Sequence, residues 1–203
     1  VVNGSGVNVQ DFDVMPLPKN EQGQVKAAFI LIARLLGDKG VREYAESARI
    51  IKAQYPVSEF HLVGWIDDNP SAISQSELDT WIADGRLKYW GKLSDVRPAI
   101  AESSVYVLPS YREGTPRTVL EAMAMGRAII TTDAPGCRET VSHGVNGYLV
   151  GVKSVDELVQ SMQYIIEDPK LIEYMGQRSR EIALHKYDEH QVNKHMMAEM
   201  GIH

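Results

Sequence analysis

The clearest chemical pattern in the sequence is a pair of carboxylates in the stretch "SYREGTPRTVLEAMAMG", residues 110–126. Glu113 and Glu121 lie eight residues apart, and between them stand residues that commonly begin helices, namely Gly114, Thr115 and Pro116. We predict a helix that Thr115 caps and that has Pro116 in its first turn. The free backbone N–H groups at such a helix start would form a cradle for an anion.

Each carboxylate has a separate expected partner. Glu121 lies about 9 Å along the helix at about 1.5 Å per residue, and a carboxylate, which only accepts hydrogen bonds, matches the two hydroxyl groups of a ribose. Glu113, in the loop, would contact hydroxyl groups beyond the anion. The alternative is a capping acid at Glu113 and a surface residue at Glu121. The apolar neighbours in "LEAMAMG" argue against that alternative for Glu121, because they predict a buried carboxylate that needs a partner.

Two cations flank an earlier loop, "ARLLGDKG", residues 33–40. Arg34 offers a planar fork of donors and Lys39 a point charge, and both suit a diphosphate beside a strand-to-helix turn. The residues alone leave open a second interpretation, in which this is a solvated loop with ordinary surface charges.

Apolar runs that alternate with helical patterns must position these side chains. We predict strands over 25–35, 59–65, 87–91, 104–110, 127–133 and 147–150. We predict helices over 40–56, 74–85, 94–103 (with Ser94 as its N-cap), 116–126, 154–167, 169–184 and 188–200. This alternation is typical of an α/β fold, a Rossmann-like, doubly wound parallel sheet of about six strands with helices on both faces. Ligands of such sheets bind beyond the carboxyl ends of the strands, where the candidate residues fall.

Composition narrows the function further. The chain has 203 residues, of which 44% are apolar, so it can bury a sizeable core, and its net charge of −6 argues against a nucleic-acid partner. The single cysteine, Cys137, suits a reducing compartment and has no evident histidine partner for nucleophilic work. No apolar run reaches about 18 residues, so we expect no transmembrane segment.

Other candidates have structural interpretations. Asp11 and Asp13 match a metal-binding D-x-D pattern, but no buried strand precedes them, and we expect no metal site. His61, inside an apolar strand, is expected to be a core histidine. The three tryptophans are expected to be packing aromatics: Trp65, Trp81 and Trp90.

The motifs together resemble one family. "EGTPRTVLEAMAMGRAIITTD" resembles the E-x7-E signature of retaining glycosyltransferases of family 4 (group 1), which have the two-domain GT-B architecture. "ARLLGDKG" resembles the diphosphate loop of that family, "GVNGYLV" its following segment, and "NGSGVNVQDF" its interdomain junction. The matches run in order over nearly the whole chain.

The resemblance implies a role for each matching residue. Arg34 and Lys39 would hold the donor diphosphate, and Glu113 would contact the donor sugar, which makes these three the expected catalytic residues. Backbone at 114–116 would approach the sugar and the phosphates, and Glu121 would hold the ribose. The loop over 89–92 would carry the base, mostly through backbone. Family members retain the anomeric configuration and need no metal or other cofactor in the chemical step.

The sequence departs from the family in two places. Many members have Gly-Phe-Gly after the first glutamate, where this chain has 114–117 as "GTPR". That variant resembles members that build bacterial surface polysaccharides, often on lipid-linked acceptors, and it leaves the donor sugar open. The loop over 64–70, "GWIDDNP", replaces a short glycine-rich turn, so no ligand role is assigned to it.

The resemblance covers the second half of a GT-B enzyme. We predict an interdomain segment over 1–24, a nucleotide-sugar-binding domain over 25–187, and a helix over 188–203 that would pack on an N-terminal domain through Met196, Met197 and Met200. The alternative is that these methionines pack on their own sheet. The acceptor, a sugar or a lipid-linked glycan, would bind the N-terminal domain, without which we expect the fragment to be inactive.

The expected function is therefore transfer of a hexose from a nucleotide diphosphate sugar, with UDP as the nucleotide, in bacterial polysaccharide or glycolipid synthesis. Two other functions stay open: a sugar-nucleotide epimerase or phosphorylase of the same architecture, and a binding module without catalysis. The expected location is the cytoplasm, with the inner face of the membrane as the alternative for the intact enzyme.

Overall fold

A six-stranded parallel sheet forms the centre of the molecule in the computed structural model, which describes the backbone of residues 6–199 and the side chains of residues 6–194. The strands are β1 (Ala28–Ile32), β2 (Glu59–Val63), β3 (Lys88–Gly91), β4 (Val105–Leu108), β5 (Ala128–Thr132) and β6 (Gly147–Val150). Their order across the sheet is β3-β2-β1-β4-β5-β6, and every neighbouring pair is parallel. The predicted fold class is confirmed.

Seven helices connect and cover the strands in the described part of the chain. They are α1 (Val41–Gln54), α2 (Gln75–Ala83), α3 (Arg97–Ala101), α4 (Arg117–Ala124), α5 (Val155–Glu167), α6 (Lys170–Ile182) and α7 (Glu189–Glu199). A wide π-helical turn, Ala183–Tyr187, separates α6 from α7. The side chains of Met196 and Met197, and all of Met200, lie outside the described residues, so their predicted apolar face stays a prediction.

Alternate strand residues enter two apolar layers, one on each face of the sheet. Phe29 and Phe60 stack at 4.9 Å in the layer that α1, α2 and α5 cover. Ile30 and Tyr106, which pair across β1 and β4, lie in the layer that α3 and α4 cover. Burial on both faces explains why the central strands read as continuous apolar runs.

The predicted N-cap of α3 is wrong. The helix begins at Arg97, three residues after Ser94, because Pro98 has no N–H and is tolerated only near a helix start. Asp95 accepts a hydrogen bond from the backbone N–H of Arg97 at 3.0 Å and so turns the chain into the helix. Helix α2, by contrast, begins with a full capping box. The Ser74 side chain accepts from the Glu77 backbone N–H, and the Glu77 side chain accepts from the Ser74 backbone N–H.

Candidate functional site

A cavity of about 340 Å³ opens at the carboxyl edge of the sheet, where β1 and β4 lie side by side. The ends of three strands line it through Ile32, Val63 and Leu108. The predicted residues that it brings together, from the loops after β1 and β4, are Arg34, Lys39, Glu113 and Pro116. A wider groove of about 550 Å³ lies at the opposite end of β1, lined by parts of 19–27 and 57–58, and none of the predicted site residues line it.

The two loops that carry these residues are joined through their backbones. A 3-10 turn, Gly37–Lys39, ends at Gly40, whose φ of 70° places it in the left-handed region. A Cβ at Gly40 would overlap the backbone of Pro109, so a glycine lets the two loops meet. Tyr111 N–H donates to the Asp38 carbonyl at 2.8 Å and holds the loop after β4 against the turn.

Lys39 and Glu113 form an ion pair inside the cavity, with Nζ 2.6 Å from Oε1. The N–H of Glu113 donates to the Pro135 carbonyl at 3.1 Å, which ties this loop to the segment after β5. Gly136, at φ 83°, approaches the Glu113 backbone so closely that any Cβ there would overlap it. The loop with the first glutamate is therefore held from both neighbouring strands.

Arg34 lies on the other wall and is more accessible. Its Nη1 is 3.3 Å from Asp67 Oδ2, and half of its side chain is exposed. Asp67 belongs to the loop over 64–70, to which the sequence assigned no role. Trp65, from the same loop, lines the cavity with Lys92 Nζ 4.4 Å from its ring centroid. Trp65 thus packs at the wall of the cavity, because it lies where the strands end and the core stops.

The helix after Glu113 begins one residue later than predicted. Pro116 is extended, with φ −74° and ψ 112°, and its carbonyl accepts the first helical hydrogen bond, from Val119 N–H at 3.1 Å. Pro116 is thus the N-cap of α4, and Thr115 does not cap it, which corrects both predictions. Gly114 and Thr115 are exposed and do not line the cavity.

Glu121 is buried on α4 and faces an adjoining cavity of about 490 Å³. The side chains of Val96 and Arg117 line both cavities. Glu121 Oε1 accepts a hydrogen bond from Arg117 Nε at 3.2 Å. Burial raises the pKa of the Glu121 carboxyl, and the Arg117 guanidinium opposes that rise. The interpretation of Glu121 as a surface residue is wrong.

The arrangement has the chemistry of a site for a long, anionic, hydroxyl-rich ligand. Three cations, Arg34, Lys39 and Arg117, and the start of α4 border the first cavity, and a nearly buried carboxylate borders the second. The family model described as glycosyl transferases group 1 matches residues 26–168 of the chain, a range that contains all of these side chains.

The chain belongs to the group 1 glycosyl transferases. A relative of this group 1 member in Campylobacter jejuni is named N,N'-diacetylbacillosaminyl-diphospho-undecaprenol alpha-1,3-N-acetylgalactosaminyltransferase. The two are 34% identical over 197 residues, which cover 93% of this chain and 50% of the relative. The chain thus spans about half the length of this curated relative.

Solved structures show the same fold as this group 1 domain. Anabaena Alr3699/HepE, solved in complex with UDP, superposes with a TM-score of 0.82 at 21% identity, over 97% of this chain and 56% of its own. The C-terminal domain of a group 1 glycosyl transferase (LpcC) from Francisella tularensis gives 0.74 at 24% identity, over 90% of this chain and 98% of its own. Family and fold together identify the C-terminal domain of a GT-B glycosyltransferase.

Three residues of the candidate site, Arg117, Asp67 and Trp65, were not predicted from the sequence to belong to it. The sequence indicated Arg117 only as part of a segment that departs from the family pattern. Its position four residues before Glu121 is nevertheless the spacing of an ion pair along a helix. Asp67 and Trp65 gave no signal, because their neighbours Arg34 and Lys92 come from other loops.

Among the remaining candidates of the sequence, His61, Cys137 and Asp13 line neither cavity, whereas Asp11 lines the second one. His61 is buried, accepts from Trp90 Nε1 at 3.0 Å and contacts Glu59, as expected for a core histidine. Cys137 is buried, and burial raises the pKa of its thiol. Asp13 pairs with Arg180 at 3.0 Å. Across the described residues no group of three or more metal-binding side chains occurs, and no helix there has the length and apolarity to cross a membrane.

Proposed function

We propose that this chain is the donor-binding domain of a retaining glycosyltransferase that takes a hexose from a nucleotide diphosphate sugar, with UDP as the nucleotide. One observation carries the proposal: Arg34, Lys39 and the start of α4 border the same cavity, while Glu121 borders the next one. The first set suits a diphosphate and the second a ribose, in the order that a sugar nucleotide presents them.

In the proposed reaction, the bond between the anomeric carbon and the diphosphate oxygen breaks, and its electron pair stays on the leaving diphosphate. Arg34, Lys39 and the N–H groups that open α4 stabilise that charge, since preorganised donors act most strongly where charge develops. The acceptor oxygen then bonds to the same face of the anomeric carbon, and its proton passes to the departing diphosphate oxygen. Glu113 holds hydroxyl groups of the sugar. No cofactor takes part, so chelating agents are expected to leave the rate unchanged.

The acceptor is proposed to be a sugar or a lipid-linked glycan in bacterial polysaccharide or glycolipid synthesis, held by a second, N-terminal domain. The name of the Campylobacter jejuni relative, whose acceptor is a diphospho-undecaprenol, supports this class. The UDP in the Anabaena structure supports the choice of nucleotide. A lipid-linked acceptor would place the intact enzyme in the cytoplasm at the inner face of the membrane.

Calorimetric titration of the chain with UDP, GDP and ADP tests donor binding. We expect UDP to bind, and Arg34→Ala and Lys39→Ala each to raise its Kd at least about tenfold, because each removes a charge-assisted bond worth about 1.5–3 kcal/mol. Arg49→Ala is the matched control, since Arg49 pairs with Glu46 on the exposed face of α1. Equal UDP affinity in all four proteins would remove the assigned diphosphate site.

Product analysis with the intact protein separates the rival functions. A transferase forms a new glycosidic bond with retained anomeric configuration, which proton NMR of the product shows, and it needs an acceptor. An epimerase changes the sugar without an acceptor, and a phosphorylase consumes inorganic phosphate. A binding module takes up UDP-sugar and leaves it intact. Only the first result agrees with the proposal.

A further inference from the structure

The ion pair between Arg117 and Glu121 joins an exposed cation to a buried carboxylate. The Arg117 side chain is 75% exposed and that of Glu121 only 9%. Arg117 Nε to Glu121 Oε1, at 3.2 Å, is the one hydrogen bond that the Glu121 side chain makes within the described residues. A carboxylate has about four acceptor positions, so most of those on Glu121 stay free beside the second cavity.

The charges around Glu121 come from three elements. Arg117 lies on its own helix, Asp95 and Arg97 lie at the start of α3, and Asp11 lies in the entering segment. Arg97 is engaged by Asp95, with Nε 2.9 Å from Oδ1. Burial and the negative charge of Asp95 both disfavour ionised Glu121, while Arg117 favours it. Among the described residues, Arg117 is therefore the cation that compensates this carboxylate.

We infer that Arg117 is a positioning residue that holds Glu121 in place as a charged acceptor and thereby sets the preference of the site for ribose over 2′-deoxyribose. The inference rests on the proposed function and deepens it. An ionised carboxylate accepts from both hydroxyl groups of a ribose, whereas a protonated one carries its own donor toward one of them. A 2′-deoxyribose offers one hydroxyl and gains less from the charge.

The position of Arg117 at the border of the two cavities suits this role. Its Nε donates a hydrogen bond to Glu121, while Nη1 and Nη2 make no bond to that carboxylate. A buried carboxylate left without its cation either protonates or stays charged at a large desolvation cost. In the first case the variant loses the charged acceptor that a diol needs, and in the second Glu121 loses the contact that holds it in place. The fold keeps its core in both cases because Arg117 is a surface side chain.

Titration of UDP and 2′-deoxy-UDP into the wild-type chain, Arg117→Gln, Arg117→Lys and Glu121→Gln tests the inference. We expect the wild type to prefer UDP about tenfold, and Arg117→Gln to narrow that preference to about twofold, mainly by weaker UDP binding. Arg117→Lys keeps part of the preference, and Glu121→Gln removes it. The matched control is Arg178→Gln, because Arg178 forms an exposed helical pair with Glu181 at 2.6 Å.

The same titrations between about pH 5 and pH 8 give a readout that a purely structural role does not change. The ratio of the two Kd values cancels the titration of the nucleotide phosphate, which both ligands share. This ratio is expected to fall toward one as the pH drops through the pKa of Glu121, and in Arg117→Gln this fall occurs at a higher pH. Circular dichroism of each variant checks that the fold is retained.

Three results would overturn the inference. If Arg117→Gln weakens UDP and 2′-deoxy-UDP equally, Arg117 acts on the phosphates. If the preference or its pH dependence is unchanged in Arg117→Gln but lost in Glu121→Gln, the donor site stands and only the role of Arg117 fails. If the wild-type chain binds none of UDP, GDP and ADP, the proposed function fails and the inference fails with it.

Discussion

Lys39 Nζ lies 2.6 Å from Glu113 Oε1, and the two side chains are only 16% and 15% exposed. The cation proposed for the diphosphate and the carboxylate proposed for the sugar thus neutralise each other. A donor bound as proposed would share or separate this pair, since its phosphate would compete with Glu113 for Lys39 while its sugar hydroxyls would compete with Lys39 for Glu113.

The first prediction is that substitutions of this pair change UDP affinity in opposite directions. Lys39→Ala removes a phosphate ligand and is expected to weaken UDP at least about tenfold. Glu113→Gln removes a competing anion and is expected to tighten UDP by about two- to fivefold. In the intact enzyme the same Glu113→Gln change is expected to slow sugar transfer about 100-fold, because the hydroxyl contacts are lost. Calorimetry and initial rates measure the two effects.

Glu102→Gln is the matched control for Glu113→Gln, because Glu102 forms an exposed pair with Lys88 at 3.0 Å. It is expected to change neither affinity nor rate. Weaker UDP binding in Glu113→Gln would contradict the competition between Glu113 and the diphosphate.

The second prediction concerns Gly136, the residue that presses on the loop of the first glutamate. Gly136→Ala would place a Cβ against the Glu113 and Gly114 carbonyls in addition to straining a φ of 83°. We expect the free energy of unfolding to fall by about 1–2 kcal/mol from the strain and by about 1–3 kcal/mol more from the overlap. The affinity for UDP-sugar is expected to fall as well, because the overlap would displace the loop that carries Glu113.

Gly144→Ala separates these causes, because Gly144 has a similar φ of 77° but no atom within 4 Å of the position that a Cβ would take. Urea unfolding of both variants gives the difference. Equal destabilisation, with unchanged UDP-sugar affinity in both, would show that the contact with Gly136 does not position Glu113.

The third prediction concerns Arg127, a fully buried arginine that bonds only to backbone carbonyls among the described residues. Its Nη1 donates to the Met15 and Met125 carbonyls, each at 2.7 Å. Burial lowers the pKa of the guanidinium to about 10, so it stays charged at neutral pH. Arg127→Met is expected to cost about 3–5 kcal/mol, because several buried carbonyls lose their donor at once.

Urea unfolding measures that cost, and amide hydrogen exchange measures its location. Faster exchange is expected around Met15, because Arg127 links the entering segment to the ends of α3 and α4. Arg178→Gln, on the exposed face of α6, is expected to change stability by less than about 0.5 kcal/mol. Unchanged or higher stability in Arg127→Met would mean that burying the charge costs more than its carbonyl bonds contribute.

The fourth prediction concerns the pH dependence of stability that His61 introduces. Burial is the main cause that lowers the pKa of His61 in the fold. The unfolded chain therefore binds more protons below about pH 6.5, and stability falls as the pH falls through that range. Urea unfolding between about pH 7.5 and pH 5 measures the loss.

His61→Gln is expected to flatten that pH dependence, whereas His185→Gln, at an exposed position, is expected to leave it as in the wild type. An equal slope in His61→Gln and the wild type would assign the pH dependence to other groups.

Much of the fold follows from local sequence patterns. The apolar runs that became β1, β2, β4 and β5 are short and continuous, and the helical patterns between them have clear ends, as at Gln54 before Pro56. These signals depend on a few neighbouring residues, so one sequence contains them. The ends of the helices were predicted less accurately. The helices near Pro98 and Pro116 begin one to three residues later than predicted.

The amino-acid sequence by itself determined the order of strands and helices, the parallel sheet, and the residue types at the ends of β1 and β4. Only the tertiary structure decided which side chains meet. It pairs Lys39 with Glu113, 74 residues away, and it surrounds Arg127 with backbone carbonyls. The reason is physical. Periodicity and capping act over a few residues, whereas a side chain meets its partner only after the sheet has placed β1 beside β4 and closed the loops over their ends.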